Sequence, residues 1–150
     1  AIDGHIIVWQ DERNGNADIY GYDLETGAEF PICTNTSAQW NPAISGDIVV
    51  WTDQSGISGY NLATHAEFPI CTNESAQWDP AISGNIVVWA DNRNGNWDIY
   101  GYNLATQAEF PICTNENYQH EIAISGNIVA WQEWDEYNGG YNIYGARLIF

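Results

Sequence analysis

The stretch Ile82-Ser83-Gly84-Asn85-Ile86-Val87-Val88-Trp89 decides the fold, because the chain carries four versions of it. The other three lie at residues 2–9, 44–51 and 124–131. The steps from one closing tryptophan to the next are 42, 38 and 42 residues. A period of this length is typical of folds that repeat one structural unit. The sequence therefore predicts one domain of four repeats, at approximately 1–42, 43–80, 81–121 and 122–150.

The third repeat predicts four short antiparallel strands. A strand at 80–83 is followed by a Gly-Asn turn that suits a tight hairpin, and an apolar strand follows at 86–90. A polar loop leads to a third strand at 97–104, and a fourth strand at 108–114 contains Pro111, which a strand tolerates at an edge. Four antiparallel strands in each repeat predict an all-β fold, a β-propeller with four-stranded blades.

The run from Ile86 to Tyr100 resembles the repeat of TolB-type β-propellers, which has an apolar strand and an Asp-x-Arg-x-Gly-Asn hairpin. In this chain and in the TolB-type repeat, the strand that follows the hairpin begins with an acidic residue, Ile and Tyr. Residues 7–20 match the repeat equally well. The tandem copies are also similar to repeats of large archaeal and bacterial cell-surface proteins. The resemblance implies a propeller at an extracellular or cell-surface location, with a binding or scaffolding role.

Two repeats depart from the pattern. The second has lost four residues, including the arginine, in the loop after Asp53, and the loop after Glu133 in the fourth is about two residues longer. The fourth repeat stops after its third strand, which gives fifteen strands and a last blade without its outer strand. The first residues belong to an innermost strand, so they cannot supply the missing one. We therefore expect self-association into a larger ring, or excision from a longer repeat array.

The charge balance restricts the partners. The chain has three Arg, no Lys and 20 acidic residues, for a formal net charge of −17. Nucleic acids and anionic lipids are bound by basic groups, so neither is an expected partner. No apolar run is long enough for membrane insertion. An acidic, Lys-free surface fits cation binding, a salty environment or solubility alone.

The three cysteines, Cys33, Cys71 and Cys113, occupy the same position in successive repeats. Equivalent positions on neighbouring units tend to lie farther apart than a disulfide allows. We expect them to be unpaired, small, buried side chains.

One face of the propeller is expected to gather the loop between strands two and three of each blade and the linker to the next blade. There, aromatic rings beside amides and carboxylates suit a protein partner or a sugar. The alternative is that Trp40 and Trp78 pack as wedges between blades. The candidate ligand-binding residues are Gln39, Trp40, Asn41, Gln77, Trp78, Asp79, Tyr118 and His120.

The oxygen-rich hairpins suggest a second kind of site. Asp11, Asp18, Asp91 and Asp98 are candidate ligands for Ca²⁺, although their spacing does not match the EF-hand pattern. In the alternative, the arginine inside each loop pairs with an aspartate and fixes the hairpin. No other cofactor is expected.

Catalysis has little support in the sequence. His5, His65 and His120 occur singly, without a repeated partner, and no nucleophile elbow or phosphate-binding glycine loop is present. The sequence therefore predicts a non-enzymatic module with a structural or protein-interaction role. The alternative is a multivalent carbohydrate-binding propeller, with pockets formed by Trp, Asn and Asp side chains between blades.

Overall fold

The computed structural model describes residues 1–149, which fold into four antiparallel sheets in chain order. The first sheet contains β1 (Ile2–Asp3), β2 (Ile6–Asp11), β3 (Asp18–Asp23) and β4 (Ala28–Cys33), and the second contains β5 (Trp40–Ser45), β6 (Ile48–Asp53), β7 (Gly56–Asn61) and β8 (Ala66–Cys71). The third contains β9 (Gln77–Ser83), β10 (Ile86–Asp91), β11 (Asp98–Asn103) and β12 (Ala108–Cys113), and the fourth contains β13 (Gln119–Ser125), β14 (Ile128–Asp135) and β15 (Gly140–Arg147). The fifteen strands and the three-stranded last sheet confirm the predicted fold class.

Contacts divide the chain into two compact units, Ala1–Thr72 and the residues from Asn73 onward. Each unit contains two of the sheets, called blades here, and has its own buried cluster. No helix in residues 1–149 is long and apolar enough to cross a membrane.

The innermost strands begin earlier than the sequence predicted. In the third blade β9 begins at Gln77 rather than Pro80, because a bulge opposite β10 lets the ladder continue past Asp79. The residues at these bulges, Asn41, Asp79 and Glu121, have φ of 53°, 52° and 52°. The predicted linkers of Trp40 and Trp78 are thus partly strand. The extra residues of the fourth repeat lengthen β14 and β15 to 8 residues each.

The apolar faces of the strands form the buried clusters. Val8, Ile19, Val49 and Trp51 are fully buried in the first unit, and Val88, Ile99 and Val129 are fully buried in the second. Of the repeated tryptophans, Trp51, Trp89 and Trp131 are buried and Trp9 is half-buried.

The three cysteines are free thiols, as the sequence predicted. Cys33 and Cys71 are buried and Cys113 is partly buried. Burial raises the pKa of the Cys33 thiol to about 11, which keeps it protonated and unreactive at neutral pH.

Each complete blade contains a close pair between a glycine of its third strand and a phenylalanine of its fourth. The pairs are Gly21 with Phe30, Gly59 with Phe68 and Gly101 with Phe110. A Cβ atom on any of these glycines would lie 2.6–2.7 Å from the phenylalanine ring. The glycine thus provides the space in which the fourth strand is held.

Candidate functional site

In each unit the linkers lie against the hairpin loops, as the strand order predicted. In the first unit the Asn16 side-chain amide donates to the carbonyls of Asn35 and Ser37, at 2.9 and 3.1 Å. In the second unit Asn96 makes the equivalent bonds to Asn115 and Asn117, at 2.8 and 3.0 Å. Within each unit these segments form one surface, the loop face.

The candidate glutamines lie beneath the loop face rather than on it. Gln39 and Gln77 are 1% and 4% exposed. The Gln39 backbone amide donates to the Ala17 carbonyl at 2.7 Å, and the Gln77 side chain donates to the Ser75 hydroxyl at 2.9 Å. Their amide groups brace the linker from inside, and contact of Gln39 or Gln77 with a ligand stays a prediction. A glutamine occupies this position in every linker, with Gln119 as the third copy, and this repetition could have predicted a structural role.

The candidate tryptophans and their neighbours stay accessible to different extents. Trp78 is 41% exposed, whereas Trp40 is half-buried. Asn41 and Asp79 follow them at the bulges, with exposed side chains and a left-handed backbone that Asn and Asp tolerate better than most residues. Contact of these four residues with a ligand stays a prediction.

Of the other two candidates, His120 belongs to an aromatic cluster in the fourth blade, and Tyr118 is bonded to that cluster through its backbone. The His120 ring lies edge-on to Tyr141 with centroids 4.9 Å apart, and Trp134 packs against Tyr141 at 5.0 Å. Tyr118, which is 53% exposed, accepts a backbone hydrogen bond from Trp134 at 3.1 Å. Trp134 and Tyr141 were missed by the sequence reasoning. They are cross-strand partners in the lengthened hairpin, so a register for β14 and β15 would have identified them.

The Asp-x-Arg hairpins form ion pairs. In the first blade Asp11 accepts hydrogen bonds from Trp9 Nε1 at 3.0 Å and from Arg13, whose guanidinium also pairs with Glu29. The same guanidinium lies 4.4 Å from the centroid of the Tyr20 ring. Hydrogen bonds from Arg13, then from Trp9, hold the pKa of Asp11 well below its usual range.

The third blade repeats this arrangement with deeper burial. Arg93 pairs with the fully buried Asp91 at 2.6 Å and with Glu109, and it lies 4.0 Å from the Tyr100 ring centroid. Burial alone would raise the pKa of Asp91, but hydrogen bonds from Arg93 and Trp89 outweigh it and lower that pKa. The arginine therefore holds the loop by charge and by stacking.

The candidate calcium ligands are engaged within these hairpins. Asp18 accepts a hydrogen bond from Asn14 at 2.7 Å, and Asp98 accepts one from Asn94 at 2.6 Å. In the described part of the chain, no group of three or more His, Cys, Asp or Glu side chains is placed to hold a metal ion. Calcium binding by Asp11, Asp18, Asp91 or Asp98 stays a prediction.

The shortened hairpin of the second blade has no arginine, and its aspartate is held in another way. Asp53 accepts hydrogen bonds from Ser55 and from Ser58, the latter at 2.8 Å. The indole nitrogen of Trp51 has no partner among the described residues. Burial, and then the charge of Asp53, raises the pKa of Glu67, which corresponds to the arginine-paired Glu29. This loop is closed by hydroxyl groups and has no cation.

The open edge of β15 is the largest departure from the repeat. β15 pairs with β14, and no described strand pairs with its other edge. Ile143 is 72% exposed and Tyr144 is 45% exposed. Gly145 occupies the position that Gly101 has in the third blade, without a phenylalanine against it. A row of backbone groups beside exposed apolar side chains is a site for strand addition.

Solved structures that resemble this chain are β-propellers. A structure described as TolB from Agrobacterium tumefaciens matches with a TM-score of 0.76 and 14% identity, over 97% of this chain and 58% of that one. TolB from Acinetobacter baumannii matches with a TM-score of 0.72 and 18% identity, over 93% of this chain and 40% of that one. A chain of a nidogen–laminin complex matches with a TM-score of 0.68 and 13% identity, over 87% of this chain and 53% of that one.

These likenesses identify the fold as a β-propeller of the TolB-like repeat type, in agreement with the resemblance in the sequence. The chain spans well under two thirds of the length of either TolB structure. The tricorn protease and an oligogalacturonate lyase are also among the similar structures, so the fold serves enzymes as well as other proteins. No protein-family model matches the chain, and no curated protein matches its sequence.

Proposed function

We propose that this chain is a non-enzymatic propeller module, at the cell surface or outside the cell, that interacts with proteins and joins further repeats of its own type. The observation that carries the proposal is the open edge of β15. Its residues have the pattern of a third strand in a complete blade. In such a blade a phenylalanine of the fourth strand packs against the glycine that corresponds to Gly145. The occupant that fits is a strand of the Ala-Glu-Phe-Pro-Ile-Cys type, followed by another blade.

The chemistry of the complete blades supports this occupant. In the third blade Phe110 lies opposite Gly101 and packs against the buried cluster of that unit. All three strands of this type among the described residues, β4, β8 and β12, are paired within their own blades. In this proposal the strand that completes the fourth blade is supplied by a further repeat. The nidogen–laminin complex is an example of protein binding by a chain of similar fold.

The experiment is a calorimetric titration of the 150-residue chain with a peptide of residues 106–115, its cysteine replaced by serine. We expect saturable binding with a dissociation constant of about 0.1–1 mM. A peptide in which the phenylalanine is replaced by alanine should bind at least about tenfold more weakly. Ile143→Lys in the protein should abolish binding, because a charge on an edge strand opposes pairing.

Tyr137→Lys is the matched control, because Tyr137 is fully exposed in the hairpin loop of the same blade. Binding that survives Ile143→Lys, or equal binding of the alanine peptide, would contradict the proposal.

The second candidate function is carbohydrate binding. It rests on the exposure of Trp78 and on the rings of His120, Trp134 and Tyr141, because aromatic faces beside amides and carboxylates suit sugars. A glycan-array screen tests it. Binding that is lost in Trp78→Ala or Tyr141→Ala would support a lectin, and no binding at high protein concentration would remove this candidate.

Bound calcium is a separate proposal for the hairpins of Asp11 and Asp91. A calorimetric titration with CaCl₂ tests it, and a heat of binding with a rise in melting temperature is the supporting result. Neither heat nor a melting shift would reject the cation site.

A further inference from the structure

A cavity of about 500 Å³ lies in the first unit, on the side opposite the loop face. Its floor is apolar, and Ile6, Phe30, Tyr60 and Leu62 line it while packing against the buried cluster of this unit. Its rim comes from the short turns that connect the strands. This volume falls in the range of small-ligand pockets, and an apolar floor with few polar groups is typical of them.

The rim of this cavity is acidic. Asp3, Asp23 and Asp47 line it, together with His5 and His65, and neither lysine nor arginine is among the lining residues. Burial opposes the ionisation of Asp23, but the backbone amides of its turn outweigh it, so that its pKa is lowered. The carboxylates therefore form a negative ring above an apolar floor.

The second unit contains a smaller cavity of about 340 Å³ whose lining corresponds in part to that of the first. Phe110 and Leu148 line it at the positions of Phe30 and Leu62. The residues at the three carboxylate positions are neutral: Ser83 replaces Asp3, Asn103 replaces Asp23 and Asn127 replaces Asp47. The turns at this end of the strands are thus acidic in the first unit and neutral in the second.

The neutral version shows that the turns do not need carboxylates. The Gly46 amide donates to Asp3 at 2.6 Å, and the equivalent Gly126 amide donates to the Ser83 hydroxyl at 2.9 Å. Asn103 accepts the same pair of turn amides as Asp23 does. Asn127 also donates to the Leu148 carbonyl at 3.1 Å, which an ionised aspartate cannot do. Three negative charges around one cavity repel each other, and the fold gains no turn from them.

We propose that the cavity of the first unit binds a guanidinium group on an aliphatic stem, the side chain of an arginine presented by a partner protein. The stem packs on Phe30 and Leu62, the planar group lies against the Tyr60 ring, and the carboxylates accept its hydrogen bonds. The net charge of −17 attracts cationic partners from a distance. The site is formed by residues of the first unit alone and does not depend on strand addition at β15.

The test is an NMR titration of the ¹⁵N-labelled 150-residue chain with N-acetyl-arginine methylamide. We expect saturable shifts at the amides of Gly4, Gly46 and Leu62, with a dissociation constant of about 1–10 mM. The citrulline analogue has the same shape without the charge and should give no saturable shifts. The lysine analogue should bind more weakly, since its ammonium group cannot form paired hydrogen bonds.

The matched variant is the triple substitution Asp3→Ser, Asp23→Asn and Asp47→Asn, which copies the neutral cavity. Each new residue already occupies that position in another repeat, so the fold should be kept, and an unchanged melting temperature checks this. Affinity should fall at least about tenfold.

Three results would overturn the proposal. They are equal binding by the triple variant, equal binding of citrulline, and shifts spread over the acidic surface instead of the cavity. Tighter binding of the lysine analogue would reject the guanidinium as the ligand. An arginine-containing peptide distinguishes the source: it should bind more tightly than the isolated analogue, and failure to bind would reject a protein partner.

Discussion

The third strands of the last two blades, β11 and β15, have nearly the same sequence and opposite surroundings. Asp98-Ile99-Tyr100-Gly101 in β11 corresponds to Asn142-Ile143-Tyr144-Gly145 in β15. Ile99 is 0% exposed and Ile143 is 72% exposed, and the values for Tyr100 and Tyr144 are 9% and 45%. Ile99 belongs to a buried cluster with Val129 and Trp131 of the following blade. In the described residues, neither a fourth strand nor a following blade covers Ile143.

Formation of the strand depends on its own repeat, whereas burial of its side chains depends on the neighbouring strand and blade. The strand forms in both cases, because β15 pairs with β14 over eight residues without a break. Burial of its isoleucine and tyrosine requires the fourth strand and the next blade. In the proposed function the fourth blade is a folded platform for a partner strand, and the following predictions test that difference.

The largest expected effect comes from truncating the two isoleucines. Ile99→Ala should lower the free energy of unfolding by about 3 kcal/mol, because it leaves a cavity in the buried cluster. Ile143→Ala should change it by less than about 0.5 kcal/mol, as for most exposed positions. Urea unfolding followed by tryptophan fluorescence measures both. Equal costs would show that Ile143 is buried in solution, and the platform would then not be open.

The second effect concerns the paired glycines. Gly101→Ala should cost about 2 kcal/mol, because the new methyl group would lie 2.7 Å from the Phe110 ring. Gly145→Ala should cost about 0.5 kcal/mol, since its nearest neighbour is the Val129 carbonyl oxygen at 3.1 Å.

A double-mutant cycle with Phe110→Ala sharpens this prediction. Removing the ring should relieve most of the cost of Gly101→Ala and none of the cost of Gly145→Ala. Additive costs at Gly101 would mean that the glycine is needed for its backbone rather than for the ring.

The smallest effect lies in the hairpin before β11. Arg93→Gln should cost about 1 kcal/mol at pH 7, because it removes the ion pair with the buried Asp91. Arg147→Gln, at the exposed end of β15, is the control and should cost less than about 0.5 kcal/mol.

The pH dependence of Arg93→Gln follows from the lowered pKa of Asp91. A carboxyl group whose pKa is lowered by folding contributes stability above its unfolded value, near pH 4, and loses it as pH falls through its folded value. The difference between wild type and Arg93→Gln should therefore narrow as pH falls below about 4. A constant difference from about pH 7 to about pH 3 would mean that the arginine acts by stacking on Tyr100 rather than by charge.

The period of the repeat was enough to predict the fold, the fifteen strands and the missing outer strand. Because the unit repeats, each strand assignment is supported by several copies. The Gly-Asn turns indicate where neighbouring strands pair. Strand ends were less predictable, because the bulges at Asn41 and Asp79 extend the innermost strands through what the sequence suggests is a linker.

The candidate sites were harder to predict, since they depend on contacts between segments. Gln39 resembles a ligand-binding residue, and only the packing of its linker against the first hairpin shows that it is buried. The cluster of His120, Trp134 and Tyr141 requires the register of a lengthened hairpin. The two cavities form at turns whose short sequences gave no sign of a site.

Amide hydrogen exchange along β15 tests the central claim most directly. The 150-residue chain is measured alone and with the 106–115 peptide at saturating concentration. We predict that the backbone amides of β15 that point away from β14 gain protection only when the peptide is present, and that the alanine peptide gives them little. Protection of these outward amides without any peptide, or protection that appears elsewhere while they are unchanged, would contradict the proposal that further repeats join at this edge.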